Sequence, residues 1–522
     1  MKLVTSEQMR TLEQRSAETG VSVDMLMENA GLAVAEEIRK LHGGSVAGCP
    51  ILILVGPGNN GGDGLVAARH LYDWDAEVNL YFYKRRTEGD KNFKLLQERG
   101  LSYTDSESDK AFVYLADALS SSEIVVDALF GTGKLRPLQG TIKEVLERVR
   151  RFREGCPNLL VVSVDLPSGL DADTGAVDEA CLYADVTITL AYPKLGLFSF
   201  PGAERVGRVI VAPIGIKPKL ADDITTSLIT TEWVKSVLPR RPLNANKGSF
   251  GKVIVAAGSI NYIGAAYLAC AAATRVGTGL VTLATGRSLQ PVLAAKLTEV
   301  TYAPLPEAEP CIIGAEAAHL FVEQLREYDV LLMGCGLGQH PSTLEFVRQS
   351  LFSLSPIMPR GVVLDADALN ALAKTDKWWQ KMKYPAVLTP HPGEMARLTG
   401  LSVTAVQADR LKVAQRMAAE WQKVVVLKGS FTVIAAPDGS AKLDPTANPG
   451  LASAGTGDVL SGAIAGLLAQ GLSPFDAACC GVYLHSAAGE MVKQELGDAG
   501  MVASDLLPVL PKVLKKLKET QL

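Results

Sequence analysis

The sequence predicts an α/β protein of two doubly wound domains. Three observations carry this expectation. Short aliphatic runs alternate with amphipathic stretches; the alternation lapses once near the middle and restarts; and glycine- and carboxylate-rich turns follow the runs directly. A chain of 522 residues is also too long for one ordinary core.

Two helical stretches, 6–19 and 24–41, come first. Strand-like runs then read "ILILV" (51–55), "VNLYFY" (78–83), "IVVDAL" (124–129), "LLVVSVD" (159–165) and "VTITLA" (186–191). Amphipathic stretches at 62–72, 90–99 and 140–153 lie between them, a rhythm that implies a mostly parallel sheet with helices on both faces. The segment 212–252 is rich in proline and charge, so the domains are set at 1–219 and 220–522, with part of this segment entering the second domain as a strand or helix. Strand-like runs resume at 252–258, 280–285, 330–334, 361–367, 386–390, 424–429 and 432–437. Helical patterns at 263–276, 315–327, 404–421, 458–470 and 474–493 alternate with them. The two halves share an architecture class without a sequence repeat.

Composition excludes several classes of partner. A net charge of −4 with 21% charged residues gives no basic excess for nucleic acid. No apolar run is long enough for a membrane span, and the most apolar region, around 459–489, reads as two buried helices. The N-terminus lacks a signal-peptide pattern and the 8 cysteines have no metal-ligand spacing, so a reduced, cytoplasmic protein is expected.

Ligands of open α/β sheets bind beyond the carboxyl ends of the strands. "GPGNNGGDG" (56–64) follows the first strand and opens a helix, with glycines that expose backbone amides as a phosphate site requires. Its spacing is neither a dinucleotide fingerprint nor a Walker loop. "DALFGTGKLRP" (127–137) and "VDLPSGLDADTG" (164–175) repeat the arrangement with Asp127 and Asp165. Three such loops are expected to converge on one pocket; the alternative is three turns with aspartate caps.

Together "GNNGGDG", "DALFGTG" and "DLPSGL" resemble the NAD(P)H-hydrate epimerase family over residues 1–215, which implies a Rossmann-like three-layer fold. The resemblance implies a potassium ion on Asn60, Asp127 and Ser168. It also implies substrate contacts from Asn59, Asn60, Gly61, Gly62 and Asp63, and from Gly131, Thr132, Gly133, Lys134, Leu135, Arg136 and Pro137. Asp165 would lie at the reacting ring. A hydrated nicotinamide carries a hydroxyl on a carbon bonded to the ring nitrogen. The nitrogen lone pair expels that hydroxyl once an acid protonates it, and water returns to either face. One carboxylate alternating between acid and base would serve, with Asp165 as the candidate.

In the second half, "NPGLASAGTGDVLSG" (448–462) raises a sharper question, because Asp458 stands where a glycine-rich helix start would receive an anion. One reading is a helix cap. The other is that "AGTGD" resembles the ribokinase-like superfamily, in which loop amides cradle a phosphoryl group and the aspartate accepts the proton of the attacking hydroxyl. With "GCGLG" (334–338), "LDADALN" (364–370), "TPHPGE" (389–394) and "LKGS" (427–430), the set resembles the ADP-dependent NAD(P)H-hydrate dehydratase branch over 230–515. That resemblance implies that Gly338, His391 and Asp458 bind the hydrated dinucleotide. Lys428, Gly429, Ser430, Phe431 and Thr432, with Gly455, Thr456 and Gly457, would hold the adenine nucleotide. ADP would be the phosphoryl donor, and Glu394 would support Mg²⁺. Related vitamin kinases carry Asn-x-x-Glu where this chain has His391 in the first position.

The implied protein is a homo-oligomeric metabolite-repair enzyme: the first domain interconverts the R and S hydrates of NADH or NADPH, and the second dehydrates S with ADP, releasing AMP and phosphate. The alternatives are a vitamin-alcohol kinase with an accessory first domain, or a first domain that only binds.

Overall fold

Successive residues of the strand Pro50–Val55 point to opposite sides of a sheet, and both sides are apolar. Ile51, Ile53 and Val55 pack with Leu12, Val34, Leu65 and Ala68. Leu52 and Leu54 pack with Ile142, Val145, Leu146 and Val149. A strand buried on both faces belongs in a parallel sheet sandwiched by helices. The computed structural model, which describes residues 1–133, 137–354 and 360–519, has that arrangement twice. Its two compact units are Met1–Thr225 and Thr226–Leu522.

The first unit holds a 7-stranded sheet in the order Tyr103–Asp105, Glu77–Phe82, Pro50–Val55, Ile124–Ala128, Leu160–Val164, Val186–Leu190, Arg208–Ala212, with every neighbouring pair parallel. The outermost two strands are beyond the five runs read from sequence. Both are edges, half-exposed along most of their length, so they lack the fully buried pattern of the central strands. Residues 220–224 stay with this unit. Lys2 donates to the Ile224 carbonyl, and Arg15 donates to Leu220 O at 3.1 Å and pairs with Asp223 at 3.0 Å.

The second unit holds a 10-stranded sheet. Its parallel part runs Thr301–Leu305, Leu280–Gly286, Lys252–Ala256, Val330–Met333, Gly361–Leu364, Ala386–Leu388, Val424–Leu427. Val433–Ala435 and Ala441–Leu443 add antiparallel neighbours, and Thr226–Leu228 is the entry strand at the far edge. The run at 361–367 stops as a strand at Leu364; Asp365 is extended and helix Ala366–Ala373 follows at once. The pattern at 404–421 is two helices, Val403–Ala408 and Arg410–Trp421. Asp409 breaks them, with φ of −148° and a carboxylate that accepts the Lys412 amide at 3.2 Å.

Within the run of parallel strands described for each sheet the order reverses once, between Pro50–Val55 and Ile124–Ala128 and between Lys252–Ala256 and Val330–Met333. The crevices at those reversals are where an open α/β sheet receives its ligand. Among the described residues no helix is long and apolar enough to cross a membrane. The apolar region 459–489 lies in helices Thr456–Ala469 and Pro474–Leu496, whose buried residues include Val459, Ile464, Cys479 and Cys480.

Helix Thr456–Ala469 approaches helix Ile263–Arg275 so closely that a Cβ on Gly462 would fall 2.1 Å from the Ala269 carbonyl oxygen. Gly462→Ala is expected to lower stability by about 1–3 kcal/mol in urea denaturation of the second unit. Gly264→Ala is the control: a Cβ there meets nothing within 4 Å, and the midpoint should stay or rise slightly.

Candidate active sites

In the first unit the site begins with a close approach. A Cβ on Gly56 would lie 1.8 Å from Leu129 O, and the Gly56 amide donates to Ala128 O at 3.1 Å. Only glycine brings the first loop onto the neighbouring strand end. Helix Asn59–Asp73 then starts at Gly58 without a side-chain cap, so its leading amides face the crevice. A cavity of about 680 Å³ opens there, lined from the expected set by Asn59, Asn60, Asp63, Gly131, Thr132, Gly133, Pro137 and Asp165. Gly61 and Gly62 do not line it. A Cβ on Gly61 would meet Gly56 O at 2.0 Å, so packing of the loop requires that glycine; one on Gly62 would meet the end of the Met27 side chain at 2.6 Å, against which Gly62 packs. Lys134, Leu135 and Arg136 lie outside the described residues.

Asn60, Asp127 and Ser168 meet around Phe130. Asn60 Nδ2 donates to Phe130 O at 3.0 Å, and the Phe130 amide donates to Ser168 Oγ at 2.9 Å. Ser168 Oγ and N donate to the two Asp127 oxygens at 2.6 and 2.8 Å. Asp127 is wholly buried and its hydrogen-bond donors are all neutral; burial holds its carboxyl above the usual carboxylate range. Neither Asp63 nor Asp127 is a helix cap: the helices that follow their loops begin at Gly58 and Gly140, both without a side-chain cap.

Asp165 has a left-handed backbone, φ of 67°, unusual for a residue with a side chain. Its Oδ1 accepts the Leu190 amide at 3.1 Å, the Thr189 hydroxyl at 3.3 Å and the ammonium of Lys194. Lys194 is buried and also donates to Leu190 O at 3.1 Å. Lys194 is absent from the residues read from sequence, as is Glu13 from helix Ser6–Glu18, which lines the same cavity. The signal for Lys194 was available: "AYPK" follows the strand Val186–Leu190, a fourth strand end beside the three that were read. Glu13 lies on an amphipathic helix with no such mark.

In the second unit, Asp458 is not a cap. Helix Thr456–Ala469 begins at Gly455, φ of 88°, with no side-chain cap, and Asp458 stands one turn in. Burial and the nearby Asp365 push the Asp458 carboxyl up to about 7. Lys428, at the end of strand Val424–Leu427, places Nζ 3.4 Å from where a Cβ of Gly457 would be, directly over the uncapped helix start. Lys428 is fixed there by Asp365 at 2.6 Å, with Glu394 at 3.9 Å. Asp365 in turn accepts Ser461 Oγ at 2.9 Å. Cys335 lies beside Asp365 and Asp458; the ligand atoms of the three all fall within 4.8 Å of one another.

The remaining expected residues divide between ligand-facing and scaffold positions. Gly429 and Ser430 are exposed, whereas Phe431 and Thr432 are buried. The Phe431 amide bonds Thr446 O at 3.1 Å and Thr432 Oγ1 donates to Gly429 O at 2.8 Å, so these two shape the turn. Arg410 holds it from below, donating to the Leu427 and Lys428 carbonyls at 2.9 and 3.2 Å. The Thr456 hydroxyl points back to Leu451 O at 2.8 Å. The Gly338 amide is taken by Asp367 at 2.8 Å. His391 is the N-cap of helix Pro392–Thr399. Its Nδ1 accepts from the Gly393 and Glu394 amides, and Glu394 Oε2 accepts the His391 amide at 2.8 Å. Nδ1 is thereby an acceptor, which leaves Nε2–H as the donor, and burial with Lys428 nearby keeps the ring below the ordinary histidine range.

A family model described as YjeF-related protein N-terminus matches residues 23–196, and one described as NAD(P)H-hydrate dehydratase matches 253–512. The bifunctional NAD(P)H-hydrate repair enzyme of Moorella thermoacetica is 44% identical over 530 residues, covering 99% of this chain and 98% of that protein. The Escherichia coli protein of the same name is 34% identical over 520 residues, covering 98% and 93%. Among solved structures, the Bacillus subtilis ADP/ATP-dependent NAD(P)H-hydrate dehydratase co-crystallised with ATP/Mg²⁺ is 35% identical, with a TM-score of 0.48, covering 56% of this chain and 98% of that one.

Removing one member of a buried ion pair strands the other. Lys428→Met is expected to cost about 3–5 kcal/mol in urea denaturation of the second unit, and adding Asp365→Leu should recover much of that loss.

Proposed function

The chain belongs to the family of bifunctional NAD(P)H-hydrate repair enzymes, and from that premise we propose how its two sites divide the work. The first unit interconverts the R and S hydrates of NADH and NADPH. The second removes water from the S hydrate at the expense of ADP, releasing AMP and phosphate. The vitamin-kinase alternative gives way to the match of both halves to repair enzymes. The observation that carries the reading is chemical: one chain holds an acid-lined cavity at one sheet reversal, and a base over an uncapped helix start at the other.

In the second unit, the amides of Gly455, Thr456 and Gly457 and the Lys428 ammonium face the phosphoryl group in transfer. Asp458 takes the proton of the substrate hydroxyl as its oxygen attacks phosphorus. Hydroxide leaves a carbon poorly and phosphate leaves well. Once phosphorylated, the hydrate loses phosphate as the ring nitrogen lone pair forms a carbon–nitrogen double bond. A proton then leaves the neighbouring ring carbon, its electron pair forms the carbon–carbon double bond, and the π pair returns to nitrogen. His391 Nε2–H lies 3.5 Å from Glu394 Oε1 and would turn to substrate from that contact, and Gly429 and Ser430 offer exposed groups to the nucleotide. Mg²⁺ prefers oxygen ligands and usually keeps waters and phosphates. Glu394 and Asp365 fit it as carboxylates at the nucleotide end, where it would neutralise phosphate charge; Cys335 does not fit.

In the first unit, the uncapped start of helix Asn59–Asp73 and the 131–133 turn suit the phosphates, and Asp165 lies at the reacting ring. A monovalent cation fits Asn60, Asp127 and Ser168, whose oxygens gather around Phe130 where, among the described residues, no cationic group bonds Asp127. Potassium there would fix the loops of Phe130 and Ser168 against each other.

The assay is restoration of NADH absorbance from hydrated NADH with ADP. Asp458→Asn should lower the rate about 10²–10⁴-fold with the fold intact. As a base, Asp458 must be ionised, so the wild-type rate should fall about tenfold per unit as pH drops below about 7 and level off above it. A rate unchanged by the substitution sinks this role. Separately, potassium should raise the melting temperature of the first unit over equal sodium, and Asp127→Asn should abolish the difference.

A further inference from the structure

The first-unit cavity holds more charge than a single acid–base residue requires. Asp165 is bonded through Oδ1 to a buried ammonium, that of Lys194, which also bonds Thr189 and the Leu190 carbonyl. The ammonium, the Thr189 hydroxyl and the Leu190 amide all donate to this one oxygen, so it is occupied as an acceptor and is not placed to give a proton. Expulsion of the substrate hydroxyl nevertheless needs a proton. The donor must come from another element lining the same cavity.

Asp63 meets every requirement. It sits in the first turns of helix Asn59–Asp73, is 7% exposed, and lines the cavity with Asp165 and Lys194. Among the described residues nothing hydrogen-bonds its carboxyl, so its oxygens are left for a ligand. The charged groups facing it are Asp165 after strand Leu160–Val164, Glu13 from helix Ser6–Glu18, Lys194 after strand Val186–Leu190, and Arg85 after strand Glu77–Phe82. Arg85 is spoken for, since it pairs with Asp90 at 2.6 Å and donates to Gly56 and Gly58 carbonyls. Lys194 is committed to Asp165. Burial together with the two neighbouring carboxylates therefore holds the Asp63 carboxyl well above its ordinary range, the direction that keeps a proton on it at neutral pH.

We propose that epimerisation uses two carboxyls in opposite charge states, with Asp63 as the proton donor, Asp165 as the base, and Lys194 as the residue that keeps them apart. The inference rests on the first unit being the epimerase. Asp63 gives its proton to the hydroxyl oxygen; the carbon–oxygen bond breaks with its electron pair on oxygen, and water leaves. The ring nitrogen lone pair forms the carbon–nitrogen double bond. Water then adds to the other face of that carbon, the π pair returns to nitrogen, and the proton lost by the water goes to Asp165. No net proton is gained or lost by the substrate. The proton returns from Asp165 to Asp63 through cavity water before the next turnover. Asp63 and Asp165 touch the reacting atoms and are catalytic; Lys194 is a positioning residue.

The test follows interconversion of purified R and S hydrates without ADP, by chromatography, on the full chain. Asp63→Asn keeps a neutral, isosteric group, so it should fold with an unchanged or raised melting temperature. Interconversion should fall about 10²-fold or more in kcat with little change in KM. Asp63→Glu should recover part of the rate, and dehydration of the S hydrate with ADP should be unaffected in both. Lys194→Gln should lower kcat with little change in KM, because Asp165 loses the ammonium that fixes its Oδ1, and Lys194→Arg should recover part of the rate. A folded Asp63→Asn protein with wild-type interconversion overturns the proposal, as does a folded Lys194→Gln protein whose kcat is unchanged. Wild-type protein that consumes S hydrate but leaves R hydrate untouched overturns instead the assignment of the first unit.

Discussion

Each unit is organised around one buried lysine bonded to one aspartate at the carboxyl edge of its sheet: Lys194 with Asp165, and Lys428 with Asp365. Taking two charges out of water is expensive, and such a pair adds little to stability over well-packed apolar residues. What the pair supplies is a fixed arrangement of charge at a place where parallel strands end together. The lysine comes from one strand end and the aspartate from another, so the pair pins two loops in register and sets the charge state of the carboxyls beside it.

The backbone around both pairs is strained in the same way. Asp165 and Ala191 in the first unit, and Ala366 and Phe431 in the second, adopt left-handed conformations without being glycine. Each costs on the order of 1–3 kcal/mol and persists only where the surroundings over-determine it. Here they do. The Asp165 amide bonds the Ile188 carbonyl at 2.8 Å, that of Ala191 bonds Ala212 at 2.8 Å, and that of Phe431 bonds Thr446 at 3.1 Å. Strain thus falls on or near the ion pairs in sequence: Asp165 carries both, Ala366 adjoins Asp365, and Ala191 and Phe431 lie three residues from Lys194 and Lys428.

The two units solve opposite electrostatic problems with this common device. In the first, carboxyls outnumber the lysine, and the carboxyl left without a partner, Asp63, is held above its ordinary range by burial and its acidic neighbours. In the second, the lysine is turned toward an uncapped helix start, and burial with Asp365 nearby pushes the Asp458 carboxyl up to about 7. His391 takes the cap of its helix through Nδ1, which leaves Nε2 as the donor, 3.5 Å from Glu394 Oε1.

The central strands, the alternation, the single lapse near the middle and the loops at strand ends were determined by the sequence alone. Runs such as "ILILV" and "VVVL" have no stable place except between two helical layers, and the glycines after them have no purpose except close approach. The families were legible for the same reason, since their motifs are those loops. The short edge strands, the break at Asp409 and the caps escaped, because a half-exposed strand or one side-chain hydrogen bond leaves too faint a periodic trace. Tertiary structure alone decided which residue of a motif faces the ligand. Gly61, Gly62 and Thr456 turned inward to packing, Asp367 was committed to Gly338, and Lys194, a long way along the chain from "GNNGGDG", was carried into the same cavity as Asp63. A residue's type and spacing are local properties. Which strand ends converge, and what charge each finds opposite it, is set by the order of strands in the folded sheet.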